Sequence, residues 1–156
     1  MTPEPSRRAT FPPTRALAPL AVAMSPVLAA ATIASGWRGA IGNDERGQLA
    51  QIAADRVNDW HSPLMTRAWQ ALIETGLGEG ALFVLAALLY WGAFALIGWA
   101  LVRRGAVIAA LAVPVIGALV LAVLVDSLVT KDALLAALLL LGAGLLLAGG
   151  DTRAPR

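Results

Sequence analysis

Residues 80–102 of the chain have the sequence GALFVLAALLYWGAFALIGWALV. It contains no charged side chain over 23 residues. A helix of this length rises about 35 Å, which exceeds the hydrocarbon thickness of a bilayer, about 30 Å. Residues 80–102 therefore predict a membrane-spanning helix.

Three further apolar blocks occur at residues 16–35, 106–125 and 133–150. Only 14% of the chain is charged and 58% is hydrophobic, whereas a soluble domain has about 25% charged residues. A cleaved signal peptide is the alternative interpretation of residues 16–35, but the block is longer than the apolar part of most signal peptides. We expect an all-α membrane protein with about four transmembrane helices in a single membrane domain, residues 16–150.

Residues 36–79 form the one long polar segment, and two short amphipathic helices are predicted within it. The first begins near Asn43 or Asp44, and the second begins with Ser62 as its N-cap and Pro63 as its first residue. The apolar residues of the second helix form a stripe of Leu64, Met65, Ala68, Trp69, Leu72 and Ile73. Because such short helices are marginal alone, we expect both to lie in the membrane interface.

The distribution of basic residues predicts the orientation of the chain. Arginines occur in the predicted disordered tail 1–15, at Arg103 and Arg104, and in the tail 151–156, whereas the turn 126–132 contains only Lys131. Both tails should therefore be cytoplasmic, and the loop 36–79 and the turn 126–132 should lie outside a bacterial inner (plasma) membrane.

Composition excludes several kinds of site. The chain has no cysteine, which excludes disulfides, thiolate metal sites and a cysteine nucleophile. Its single histidine, His61, excludes a site that needs two. A net charge of +2 without a basic, aromatic-rich stripe gives no indication of a nucleic-acid partner.

The two outward segments hold the titratable groups that are not needed for topology. These groups are Asp44, Glu45, Asp55, Asp59 and His61 in the first segment, and Asp126, Lys131 and Asp132 in the second. At an interface, a carboxylate can take a proton from a hydroxyl nucleophile, and a lysine can stabilise a phosphate leaving group. Such a surface suits a substrate with a polar head and a lipid tail.

Each of these groups also has a structural interpretation. Acidic residues such as Asp44 and Glu45 favour the start of a helix, and Lys131 can be an interfacial anchor. Asp59, His61 and Asp126 can be solvated loop or helix-end residues. The aromatic residues have similar alternatives: an interfacial belt for Trp37, Trp60 and Trp69, and packing inside the bundle for Tyr90 and Trp91.

The string DWHSPLM at residues 59–65, followed by Trp69, resembles the D-W-H-x-P-L-M…W signature of one group of bacterial GT-C membrane glycosyltransferases. Three other elements are similar to that family in order and spacing: NDE at 43–45 with Gln48, LYWG at 89–92 with the basic turn 103–105, and TKD at 130–132. The resemblance covers about residues 36–147.

Such enzymes transfer a sugar from a polyprenyl-phosphate donor to an acceptor outside the membrane, and a divalent metal ion assists in some. The resemblance implies a catalytic role for Asp44, donor-phosphate binding by Lys131 and Asp132, and substrate binding by Glu45, Asp59 and His61.

Full members of that family have many more spans than this chain. We therefore expect a truncated or split N-terminal part of such an enzyme, completed by a second membrane chain that supplies the missing helices. The alternative is a non-catalytic small integral membrane protein that assembles with partners through Gly142 and Gly144. A transporter is less favoured, because no span carries an internal charge.

Overall fold

The computed structural model describes residues 16–37, 39, 41–59, 61–124 and 130–150. The predicted tails 1–15 and 151–156 lie outside the described residues, as do Trp60 and Asp126. Within the described part the chain is all-helical and contains no β-strand.

The described ranges form six α-helices. They are α1 (Ala18–Ser35), α2 (Asn43–Ala53), α3 (Pro63–Leu72), α4 (Ala81–Arg103), α5 (Val107–Leu124) and α6 (Lys131–Gly149). A π-helical turn, Ile73–Leu77, and a 3₁₀ turn, Gly78–Gly80, connect α3 to α4.

Three of the helices are long and apolar enough to cross a membrane. They are α1, with a mean hydropathy of 1.6, α6, with 2.1, and the apolar part of the helical segment Pro63–Arg103, with 2.2. The apolar run of α5, Val107–Ala122, is shorter. These lengths and compositions are those of a membrane protein, as the sequence predicts.

Helix α4 is the centre of the bundle, and it packs against α1, α5 and α6. Tyr90 and Trp91 lie in its middle and are 6% and 2% exposed. The Tyr90 hydroxyl donates a hydrogen bond to the Gly117 carbonyl of α5 at 2.7 Å. The Trp91 indole N–H donates to the Thr32 hydroxyl of α1 at 2.9 Å. Both aromatic residues therefore pack inside the bundle, and each satisfies its polar atom across a helix interface.

Helix α6 runs parallel to α4, because their C-terminal ends meet. The Arg104 guanidinium follows α4 and donates hydrogen bonds to the carbonyls of Leu147, at 2.6 Å, and Gly150, at 3.0 Å. Gly144 lets the two helices approach closely, since a Cβ there would lie 3.3 Å from the Ala93 carbonyl oxygen. The start of α6 therefore lies at the same end of the bundle as the start of α4.

The two short helices occur where the sequence predicts them. Helix α2 starts at Asn43, and Ser62 caps α3 by accepting a hydrogen bond from the Met65 N–H at 3.4 Å. Met65 and Trp69 of the predicted apolar stripe of α3 are buried within the protein. Leu64 is 82% exposed and Ala68 is exposed, whereas Thr66 is buried. The Thr66 hydroxyl can be buried because it donates to the Ser62 carbonyl at 3.1 Å.

Two other predictions need correction. Trp69 is 0% exposed, so it belongs to the core and not to an interfacial belt. Lys131 and Asp132 are the first residues of α6 and not part of the preceding turn. The Thr130 hydroxyl caps this earlier start by accepting a hydrogen bond from the Ala133 N–H at 3.1 Å.

Candidate functional site

The candidate residues gather at one end of the bundle, here called the α2–α3 end. Helix α1 finishes beside the start of α4, since a Cβ on Gly36 would lie 2.6 Å from the Phe83 Cζ atom. The segment between these helices holds Asp44, Glu45, Asp59 and His61. Because α6 is parallel to α4, Lys131 and Asp132 lie at this end as well.

Asp44 and Glu45 occupy the first turn of α2 and differ in their surroundings. Asp44 is exposed, and Glu45 is half-buried. The Glu45 carboxylate folds back over the N-cap residue Gly42, where its Oε2 lies 2.6 Å from the position a Cβ would take. A carboxylate at this place is stabilised by the partial positive charge of the helix N-terminus. Asp44 is therefore the carboxylate of the pair that is accessible to a substrate.

His61 packs against α2. Its Nε2 lies 3.0 Å from the position a Cβ would take on Gly47, so the absence of a side chain at Gly47 makes room for the imidazole ring. Asp59, two residues before His61, is exposed. The structure thus places His61 beside the body of α2, while Asp59 faces solvent.

A salt bridge connects the end of α2 to α3. The Arg67 guanidinium lies 2.9 Å from the Asp55 carboxylate and also donates a hydrogen bond to the Gln70 amide oxygen at 2.7 Å. The hydrogen bond and charge of Arg67 lower the pKa of Asp55 below its ordinary value. Asp55 itself has a φ of +47°, which reverses the chain after α2. This residue therefore has a structural role in the segment.

Lys131 and Asp132 are exposed in the first turn of α6. Asp132 has favourable electrostatics there, because the N-terminus of a helix attracts negative charge. Lys131 lacks that benefit, and its exposed ammonium is available to an anionic group in the membrane interface.

The structure brings the six candidates to one end but not into one cluster. Among the residues that it describes, no hydrogen bond or ion pair joins any two of their side chains. The described ranges also contain no group of three or more His, Asp or Glu residues that could hold a metal ion. The divalent metal that the family resemblance allows therefore has no fitting set of ligands in this part of the chain.

Sequence reasoning missed two features of this end. Gln48 is 5% exposed, and its Oε1 has no hydrogen-bond partner among the described residues. A cavity of about 330 Å³ lies between Trp37 and the glycine-rich segment 76–80. Two sequence features could have indicated the cavity. They are the three glycines of GLGEG at residues 76–80 and Trp37, which follows the first span.

Comparisons with known proteins add no relative. No family model, no curated protein and no solved structure matches the chain.

Proposed function

We propose that the α2–α3 end faces the outside of a bacterial inner membrane and that both termini are cytoplasmic. Arg103 and Arg104 lie at the opposite end of the bundle, where cytoplasmic arginines are expected. Helix α5 is the fourth span in this proposal. Its 18 residues rise about 27 Å, close to the thickness of the hydrocarbon core.

The function that this arrangement supports best is that of a GT-C-like glycosyltransferase, which uses a polyprenyl-phosphate sugar and an acceptor outside the membrane. One observation carries the proposal: the carboxylates of the α2 segment and the ammonium of Lys131 share one end of an apolar bundle. A donor with its tail in the bilayer presents its phosphate and sugar at that level.

The proposed reaction is a displacement at the anomeric carbon. The acceptor hydroxyl attacks this carbon while the bond from the carbon to the phosphate oxygen breaks, which inverts the centre. Asp44 takes the proton of the hydroxyl. Lys131 stabilises the charge that develops on the departing polyprenyl phosphate, and Asp132 lies beside it in the donor-phosphate site. Glu45, Asp59 and His61 hydrogen-bond the sugar or the acceptor.

The packing of α6 leaves room for further helices. Its main packing partner is α4, and much of its surface is open. Five exposed leucines lie on it: Leu135, Leu138, Leu139, Leu145 and Leu146. We propose that a second membrane chain packs on this surface and supplies the remaining helices of the enzyme.

A transfer assay tests the role of Asp44. Membranes that contain the chain and its partner would receive undecaprenyl phosphate carrying radiolabelled glucose, mannose or galactose, one donor at a time. Loss of the proton acceptor in Asp44→Asn should lower transfer by about 100-fold or more. Glu74→Gln, at another exposed acid of the same segment, should transfer at the normal rate. Equal transfer by Asp44→Asn and the unaltered chain would remove Asp44 from this role.

The second candidate function is a non-catalytic assembly partner. Gly142 favours it, because a Cβ there would meet no atom within 4 Å, so the position is open to another helix. Gly144 is already used against α4. In this case Gly142→Leu should prevent recovery of the second membrane chain in mild detergent, and Asp44→Asn should leave it unchanged.

A further inference from the structure

The cavity of about 330 Å³ lies at the α2–α3 end, where α1 finishes and α4 begins. Its lining residues are Trp37, Gly76, Leu77, Gly78, Glu79 and Gly80. This volume is at the lower limit of pockets that bind small molecules, about 300 Å³. It matches a ligand about the size of a single sugar ring.

The glycines keep the cavity open. Gly76 and Gly78 have φ values of +91° and +66°, which L side chains rarely adopt. A Cβ at either position would meet no atom within 4 Å, so these residues border open space. The wall they form is bare backbone, which offers hydrogen-bonding groups at close range.

Trp37 and Glu79 are the two lining residues whose side chains can recognise a polar ligand, and each is attached to the bundle through its backbone or its neighbour. The Glu79 carbonyl accepts a hydrogen bond from the buried Trp69 indole at 3.0 Å, which ties the backbone of Glu79 to α3. Trp37 follows Gly36, which packs on the Phe83 ring at the top of α4. The indole of Trp37 is 51% exposed.

We propose that this cavity binds one pyranose ring, with Trp37 as a stacking platform and Glu79 as an acceptor for its hydroxyls. One face of a pyranose carries C–H groups, whose slight positive charge matches the negative face of an indole. Its hydroxyls need acceptors, which the Glu79 carboxylate and the glycine backbone supply. Among the described residues of the lining, Glu79 is the one that carries a charge, and its carboxylate disfavours an anionic ligand.

This inference rests on the proposed function for the source of the sugar, which is a lipid-linked donor or its acceptor at the membrane surface. The cavity and its lining residues support sugar binding without that assumption. Trp37 and Glu79 are binding residues in this account, and Asp44 remains the catalytic one.

Saturation-transfer NMR on the full chain in lipid nanodiscs tests the pocket. The probes are the methyl pyranosides of glucose, mannose, galactose and N-acetylglucosamine. At least one should receive saturation on its ring C–H protons. Trp37→Ala should weaken that binding by about ten-fold, and Trp37→Tyr should retain most of it. Glu79→Gln should also weaken binding, and it leaves the bond to Trp69 in place because that bond uses the backbone carbonyl.

The tryptophan substitution and the glutamate substitution each have a matched control. Trp99→Ala changes a tryptophan, 40% exposed, at the other end of α4, and Glu74→Gln changes an acid outside the cavity. Both should bind the probe normally. Absence of binding by all four probes, or normal binding by Trp37→Ala, would overturn the proposal.

The binding experiment tests the pocket and the transfer experiment tests the enzyme, so each proposal can be contradicted without the other. Binding that persists in Asp44→Asn, together with loss of transfer, supports both proposals. Transfer that depends on Asp44 without any probe binding removes the pocket and keeps the enzyme. Binding without transfer by the unaltered chain keeps the pocket and removes the enzyme.

Discussion

The indole N–H of Trp69 in α3 donates a hydrogen bond to the backbone carbonyl of Glu79, ten residues later, at 3.0 Å. The bond spans the turn that contains Gly76, where the chain leaves helical geometry with a φ of +91°. Trp69 is fully buried, so this contact fixes the direction of α3 relative to α4. The polar segment that carries Asp44 and His61 is therefore attached to a rigid point of the bundle.

Trp69→Phe should destabilise the protein by about 1–2 kcal/mol, because it keeps a six-membered aromatic ring but removes the indole N–H and leaves the Glu79 carbonyl without its donor. Trp69→Ala should cost about 3–5 kcal/mol, because a cavity is added. Thermal unfolding in detergent measures both effects. Trp99→Phe, at a partly exposed tryptophan, is the control and should change little. Equal effects at Trp69 and Trp99 would contradict the role of the hydrogen bond.

Local sequence signals were sufficient to predict the long helices and the start of α3. The run without charges predicted a span at 80–102, and α4 covers Ala81–Arg103. Ser62 and Pro63 predicted the beginning of α3, since capping depends on the neighbouring residues alone.

The buried face of α3 could not be predicted from hydrophobicity alone. Thr66 satisfies its hydroxyl on its own helix and is buried, whereas the more apolar Leu64 is exposed. The topology predicted from the sequence puts Asp44 and Lys131 on the same side of the bundle, but their positions relative to each other depend on helix packing across a long interval of chain. The start of α6 was placed two residues late, since its polar first turn resembles a loop.

Gly144→Leu should separate α4 from α6, whereas Gly142→Leu should leave the monomer unchanged. A side chain at Gly144 meets the Ala93 carbonyl and the side chains of Ile97 and Leu96 within 3.4 Å, and one at Gly142 meets nothing within 4 Å. Overpacking at Gly144 should cost about 1–3 kcal/mol. Thermal unfolding of the two variants gives the comparison, and a similar loss at both positions would show that this packing is incorrect.

Arg104→Gln should release the end of α6, because the Arg104 guanidinium bonds the carbonyls of Leu147 and Gly150. The loss should be about 1–2 kcal/mol, since the site is exposed and the released carbonyls find water. Hydrogen exchange of the last turn of α6 should accelerate. Arg103→Gln, whose guanidinium lies over the Trp99 ring, should leave that exchange unchanged. Unchanged hydrogen exchange in Arg104→Gln would contradict the role of Arg104 in holding the end of α6.

The Asp55–Arg67 salt bridge predicts that the stability of the fold falls at low pH. Because Arg67 lowers the folded-state pKa of Asp55 below 3.8, the pair stabilises the fold above that value. This contribution is lost as the pH falls through the lowered pKa. An NMR titration of the Asp55 carboxyl should show a midpoint that rises toward 3.8 in Arg67→Gln and stays in place in Arg46→Gln. A midpoint that does not respond to Arg67→Gln would exclude the pair as the cause.

The most direct test of the account is the side of the membrane on which each end of the bundle lies. The chain has no cysteine, so Asp59→Cys, Lys131→Cys and Arg103→Cys each introduce a single thiol at an exposed position. These variants can be treated with a membrane-impermeant maleimide in intact spheroplasts. The account predicts labelling at positions 59 and 131 from outside, and at position 103 only after permeabilisation. Labelling of positions 59 and 131 from opposite sides would contradict the shared outer surface on which the proposed function depends.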